Sequence, residues 1–135
     1  MRERTDEFAR LITLEMGKLI EQSRGEVALS AAIRDYYAQN AERFLAPEKL
    51  PTKTGEALVE SSPIGVLFGV EPWNFPYYQI VRFAAPNLMA GNVVMVKHAS
   101  NVPQCALAFE RLMEDAGAPP GADTNLLSRR NKWPR

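Results

Sequence analysis

Apolar side chains recur at Phe8, Leu11, Ile12, Met16, Leu19 and Ile20. This three-and-four spacing predicts an amphipathic helix over residues 3–16, with Gly17 as its stop. Val27, Ile33, Tyr36, Tyr37 and Phe44 continue the pattern and predict a second helix from about 19 to 44. Gly25 lies inside it at a cost of about 1 kcal/mol relative to Ala, and Pro47 and Pro51 end helical structure. Residues 56–62 alternate loosely, which predicts an exposed strand broken by Pro63. The run Ile64-Gly65-Val66-Leu67-Phe68-Gly69-Val70 is continuously apolar, the pattern of a strand buried on both faces. A loop, Glu71-Pro72-Trp73-Asn74-Phe75-Pro76, follows. A helix is predicted from near Pro76 to Ala90, kinked or divided at Pro86 and closed by Gly91. Residues 93–97 predict a second buried strand. Asn101 and Pro103 read as N-cap and early-turn residues of a helix over 102–116, which Gly117, Pro119 and Pro120 terminate. Thr124-Asn125-Leu126-Leu127 begins a third strand.

Strand–helix–strand–helix–strand order over 64–127 is the grammar of a parallel sheet with right-handed crossovers. The expected fold class is therefore α/β. Ligands of such sheets sit beyond the carboxyl ends of the strands, which directs attention to loops 71–76 and 98–101.

Composition narrows the function classes. The 135 residues accommodate one domain. Hydrophobic residues make up 46% and charged residues 24%, an ordinary globular mix that excludes disorder, collagen and coiled coil. Lys+Arg and Asp+Glu are 16 each, so no net charge draws the chain toward nucleic acid or anionic membrane. One Cys excludes an internal disulfide framework and fits a reducing compartment. No apolar run approaches the roughly 20 residues of a membrane span, and the charged start, Met1-Arg2-Glu3-Arg4, is no secretory signal. A cytoplasmic address is expected, with no metal site.

Several motifs together resemble the aldehyde dehydrogenase superfamily: Pro72-Trp73-Asn74-Phe75-Pro76, Pro86 ahead of Ala90-Gly91-Asn92, Val96-Lys97, and Glu15-Met16-Gly17-Lys18 near the start. Lys97-His98-Ala99-Ser100 and Asp115-Ala116-Gly117-Ala118-Pro119 are most similar to the bacterial succinate-semialdehyde dehydrogenase branch, over about residues 5–128. The resemblance implies a partial Rossmann-like sheet. Residues 1–45 and 64–128 would form an incomplete NAD(P)-binding domain, 46–63 an oligomerisation hairpin arm, and 129–135 a divergent basic tail.

The resemblance also implies roles. When a thiolate attacks an aldehyde, charge develops on the carbonyl oxygen, and a fixed amide donor stabilises it. Asn74 matches the family's donor; otherwise it is a loop Asn bonding its own backbone. Lys97 matches a ribose-binding lysine; otherwise it is a strand-end lysine with its head in water. Many relatives carry Glu where Ser100 stands, and a carboxylate there would repel a 2′-phosphate. Lys97 and Ser100 together permit NADP and lean toward it, with NAD left open; otherwise Ser100 caps a helix beside Asn101. Val70, Glu71, Pro72, Trp73, His98 and Ala99 complete the expected cofactor edge. His98 is read as a loop residue contributing its backbone. Trp73 is either a flat wall beside the cofactor or a core aromatic. Phe75, Gln79 and Arg82 share a helical face, which would line the substrate channel. Arg82 would bind the far carboxylate of the substrate or else be a solvated surface arginine. Cys105 falls inside a helix and reads as a small buried hydrophobe, not the family's nucleophile.

That nucleophile, the general-base Glu and the glycine-rich pyrophosphate turn have no counterpart in the 135 residues. The chain alone is therefore expected to be inactive, a fragment of an enzyme that oxidises a small aldehyde. It is further expected to be a homo-oligomer or to join full-length subunits, with apolar surface exposed. A non-catalytic interaction module or a decayed gene product is the alternative. Arg129, Arg130, Lys132 and Arg135 without a folded platform support only weak, salt-sensitive nucleic-acid contact.

Overall fold

Helices α1 (Thr5–Met16) and α2 (Ile20–Leu45) take up the first two amphipathic stretches. The structure, a computed structural model, describes residues 1–127. The expected basic tail at 129–135 lies outside them. Gly17 separates the helices at φ 76°, a left-handed conformation that residues with a Cβ adopt at a cost. A hairpin follows: β1 (Glu48–Leu50) pairs antiparallel with β2 (Ala57–Val59), Glu48 opposite Val59.

The remaining elements alternate as β3 (Val66–Glu71), α3 (Pro76–Met89), β4 (Val93–His98), α4 (Pro103–Asp115) and β5 (Asp123–Asn125). The strands form a parallel sheet in the order β3-β4-β5. Two right-handed crossovers stepping in the same direction put both helices on one face, and α3 and α4 touch there. Burial follows the pleat. Val94, Val96 and His98 face the helices and are buried, whereas Val93, Met95 and Lys97 face the other way and are half-buried.

This arrangement corrects one expectation. β3 is not buried on both faces: Val66 and Val70 lie on the face away from the helices and are exposed. The described residues cover a single face of a strand whose sequence suits two covers. α3 also runs undivided through Pro86, and Ala90 N–H donates to the Pro86 carbonyl at 3.1 Å. β5 opens one position earlier than expected, at Asp123.

The core lies between helices and sheet. Phe8 of α1 meets Tyr77 of α3 edge to face, with centroids 5.0 Å apart at 88°. Ile12, Val27, Ile80, Val94, Val96 and Phe109 surround them. α3 presses close on β3, for a Cβ added at Gly69 would stand 2.7 Å from the Phe83 ring. Among the described residues no helix is long and apolar enough to cross a membrane.

Candidate functional site

The register sets Val70 beside Lys97 and Glu71 beside His98, so β3 and β4 end level. The loops at 72–75 and 99–102 therefore leave the same edge of the sheet. Pro72, Trp73, Asn74 and Phe75 are all exposed. Trp73 shows 54% of its surface and takes no part in the core of the described residues.

Asn74 does not bond its own backbone. Its side-chain amide makes no hydrogen bond among the described residues, while its carbonyl accepts one from Lys18 Nζ at 2.8 Å. The same ammonium stands 3.6 Å above the centre of the Phe75 ring. It also pairs with Glu26 in a nearly dry contact, the two side chains being 8% and 0% exposed. Glu26 then accepts the N–H groups of Tyr77 at 2.9 Å and Tyr78 at 3.3 Å. These are among the orphan donors at the start of α3, where Phe75 offers no cap.

On the neighbouring loop, Lys97 Nζ donates to the His98 carbonyl at 2.9 Å, so the side chain folds back along the strand end. Ser100 is exposed and does not cap α4. Nor does Asn101: the N-cap is Val102, with no side-chain bond. The first amides of α4 go instead to Glu15, from Gln104 N–H at 2.7 Å and Cys105 N–H at 2.8 Å. His98 belongs to β4, not to the loop. Its ring turns into the helix side, 5% exposed, and neither nitrogen has a partner among the described residues. Burial and then the Lys97 charge push it down to about 4, so it is a neutral imidazole near neutral pH. Glu71 is half-buried, and burial raises its carboxyl against the opposing pull of Arg82.

Arg82 is exposed, with its guanidinium carbon 5.2 Å from the Tyr78 ring centre. Phe75 meets the same ring at 5.9 Å. The contacting row on α3 is thus Phe75, Tyr78 and Arg82, where the sequence pointed to Gln79. Tyr78 and Arg82 line a recess of about 460 Å³ with Ile33, Tyr36 and Tyr37 of α2. Cys105 is buried, and burial followed by the Glu15 carboxylate raises its thiol far above the ordinary range.

The fold thus brings residues 70–75 and 97–100 to one edge. Lys18, Glu26, Glu15 and Tyr78 went unassigned in the sequence. Their partners lie up to 90 positions away, beyond any local pattern.

The aldehyde dehydrogenase family profile matches residues 1–132. The NADP(+) succinate-semialdehyde dehydrogenase of Deinococcus radiodurans is 58% identical over 96% of this chain and 27% of its own. A probable succinate-semialdehyde dehydrogenase [NADP(+)] of Synechocystis is 50% identical, covering 94% of this chain and 28% of its own. The succinic semialdehyde dehydrogenase of Streptococcus pyogenes, solved in complex with NADP+, superposes with TM-score 0.93 at 46% identity over 97% of this chain and 29% of that one. The chain spans little more than a quarter of the length of these relatives. With a profile match over almost all its residues, and that level of identity, the chain belongs to the aldehyde dehydrogenase family.

Proposed function

We propose that this chain supplies the oxyanion loop and part of the dinucleotide edge of an aldehyde dehydrogenase that oxidises succinate semialdehyde with NADP. The observation that carries the reading is the Asn74 side-chain amide, without a hydrogen bond among the described residues on a loop whose backbone carbonyl is held by Lys18. Such a donor is placed for charge that develops late, and costs no reorganisation when it does. It shares its sheet edge with Lys97 and Ser100. An ammonium and a hydroxyl, with no carboxylate at position 100, fit a phosphorylated ribose and tolerate NAD as well. Trp73 offers an exposed apolar wall beside them. The cofactor, when bound, accepts the hydride. Val70, Glu71, Pro72, His98 and Ala99 contribute backbone and surface to the same edge.

Arg82 binds the far carboxylate of the substrate, because its exposed guanidinium closes the row that starts at Phe75 beside Asn74. The relatives named for succinate semialdehyde support that assignment. The 135-residue chain alone performs no turnover, since its one thiol is buried and held protonated. The exposed hairpin, with Leu50, Leu58 and Val59 in the open, bridges to another subunit.

A chimera tests this. Residues 1–127 replace the matching segment of the Deinococcus radiodurans enzyme, and NADP reduction by succinate semialdehyde is followed. Asn74→Ala in the chimera is expected to lower kcat by about 10²–10³ with little change in cofactor KM. An undiminished kcat removes Asn74 from the chemistry.

A further inference from the structure

Asn74 stands in a turn that has no regular structure of its own, yet an oxyanion donor is useful only if it does not move. We propose that Lys18 is the positioning residue of the Asn74 loop, and that the Lys18–Glu26 ion pair acts as a two-ended clamp on residues 74–78. The inference rests on the reading of Asn74 as the oxyanion donor, and extends it to residues with no contact to substrate.

The geometry is specific. The ammonium takes the loop at the Asn74 carbonyl, 2.8 Å away, and at the Phe75 ring, 3.6 Å from its centre. The carboxylate takes the start of α3 at the Tyr77 and Tyr78 amides. One end therefore fixes the peptide that follows the Asn74 side chain. The other fixes the helix into which that peptide leads. Both charges come from outside the loop: Lys18 follows the Gly17 turn and Glu26 lies on α2. A charge pair this dry is not needed for stability, since apolar side chains of similar volume commonly serve as well. What apolar side chains cannot do is hold a carbonyl from one side and amide protons from the other. Phe75 gains in the same way, with the ammonium over its face and the Tyr78 ring 5.9 Å away, centre to centre. Lys18 thereby sets the channel wall as well as the oxyanion donor.

The test reads geometry and not turnover, so it is independent of the chimera. The full 135-residue chain is labelled with ¹⁵N-asparagine, and the side-chain amide signals of Asn74 and Asn92 are followed. Asn74→Ala assigns the first. Asn92, whose carbonyl oxygen accepts the Ile64 amide at 2.7 Å, reports the fold at the opposite end of the sheet. Lys18→Met leaves Glu26 buried and unpaired and can unfold the chain. Lys18→Met/Glu26→Gln removes both charges but keeps an oxygen for the Tyr77 amide. In the double variant the Asn74 signal is expected to shift, split or broaden away while that of Asn92 holds its position. An unchanged Asn74 signal in a folded double variant overturns the proposal. So does loss of the Asn92 signal in both variants, because the pair then serves the whole fold and not the loop. If these variants behave as expected and Asn74→Ala leaves the chimera's kcat intact, the clamp stands and the oxyanion reading falls.

Discussion

Helices α3 and α4 begin alike. Each opens on a proline, Pro76 or Pro103, and neither has a side-chain cap of its own. In both, a carboxylate from a distant helix accepts two backbone N–H groups: Glu26 at α3 and Glu15 at α4. Their surroundings then diverge. Glu26 is fully buried and carries Lys18 with it, and Lys18 reaches the loop before α3. Glu15 is half-buried and has no counter-ion among the described residues. A buried charge requires a partner, and at α3 that partner is also the link to the candidate site. On the sheet below the two helices the polar groups go without: His98, Asp123 and Asn125 on the helix side of β4 and β5 have buried side-chain atoms with no partner among the described residues.

Removing one carboxylate at a time breaks the comparison where it is strongest. Glu26→Ala is expected to cost about 3–5 kcal/mol in urea denaturation, the cost of stranding a buried charge. A loss below about 1 kcal/mol would mean that Glu26 is no more than an ordinary cap.

Titration sharpens the contrast on the sheet. Asp123 is pushed up to about 6, by burial first and then by the nearby Glu110 carboxylate. The folded state therefore holds that proton more tightly than the unfolded state. The resulting stability is full below pH about 4 and is lost as pH rises toward 6. His98, pushed down to about 4, works in the opposite sense, and its contribution is lost as pH falls from about 6.5 toward 4. The two effects, each on the order of 3 kcal/mol, oppose across the shared window. His98→Gln is expected to leave stability falling with pH between 4 and 6, and Asp123→Asn to leave it rising. Identical slopes in both variants would refute the assignment.

Smaller effects follow at the more exposed cap. Glu15→Ala is expected to cost about 1 kcal/mol, read as a shift of the urea midpoint. Cys105 lies beside that cap, and its alkylation by iodoacetamide is expected only as fast as the chain opens. Modification at the rate of a free thiol would mean that α4 starts loosely.

What the sequence disclosed and what it hid divide along this same line. The alternation of strand and helix, the Gly17 stop and the edge shared by the loops read at 71–76 and 98–101 are legible because they depend on neighbours within a few positions. Asn74, Lys97 and Ser100 are marked by motif. The caps are hidden, since Glu26 and Tyr77 are 51 positions apart and Glu15 and Gln104 are 89. Asn101 is a sound local candidate for a cap, but Glu15 reaches the amides first. The exposure of β3 is hidden for another reason: an apolar run such as 64–70 records the covers a strand is suited to, and the described residues provide one.

Gly69 carries a mechanical consequence. With the Phe83 ring standing where even a methyl group would have to go, position 69 admits no side chain unless that ring turns away. The close approach of α3 to β3 therefore depends on one residue without a Cβ, and the short turn that carries Asn74 joins the two elements so brought together.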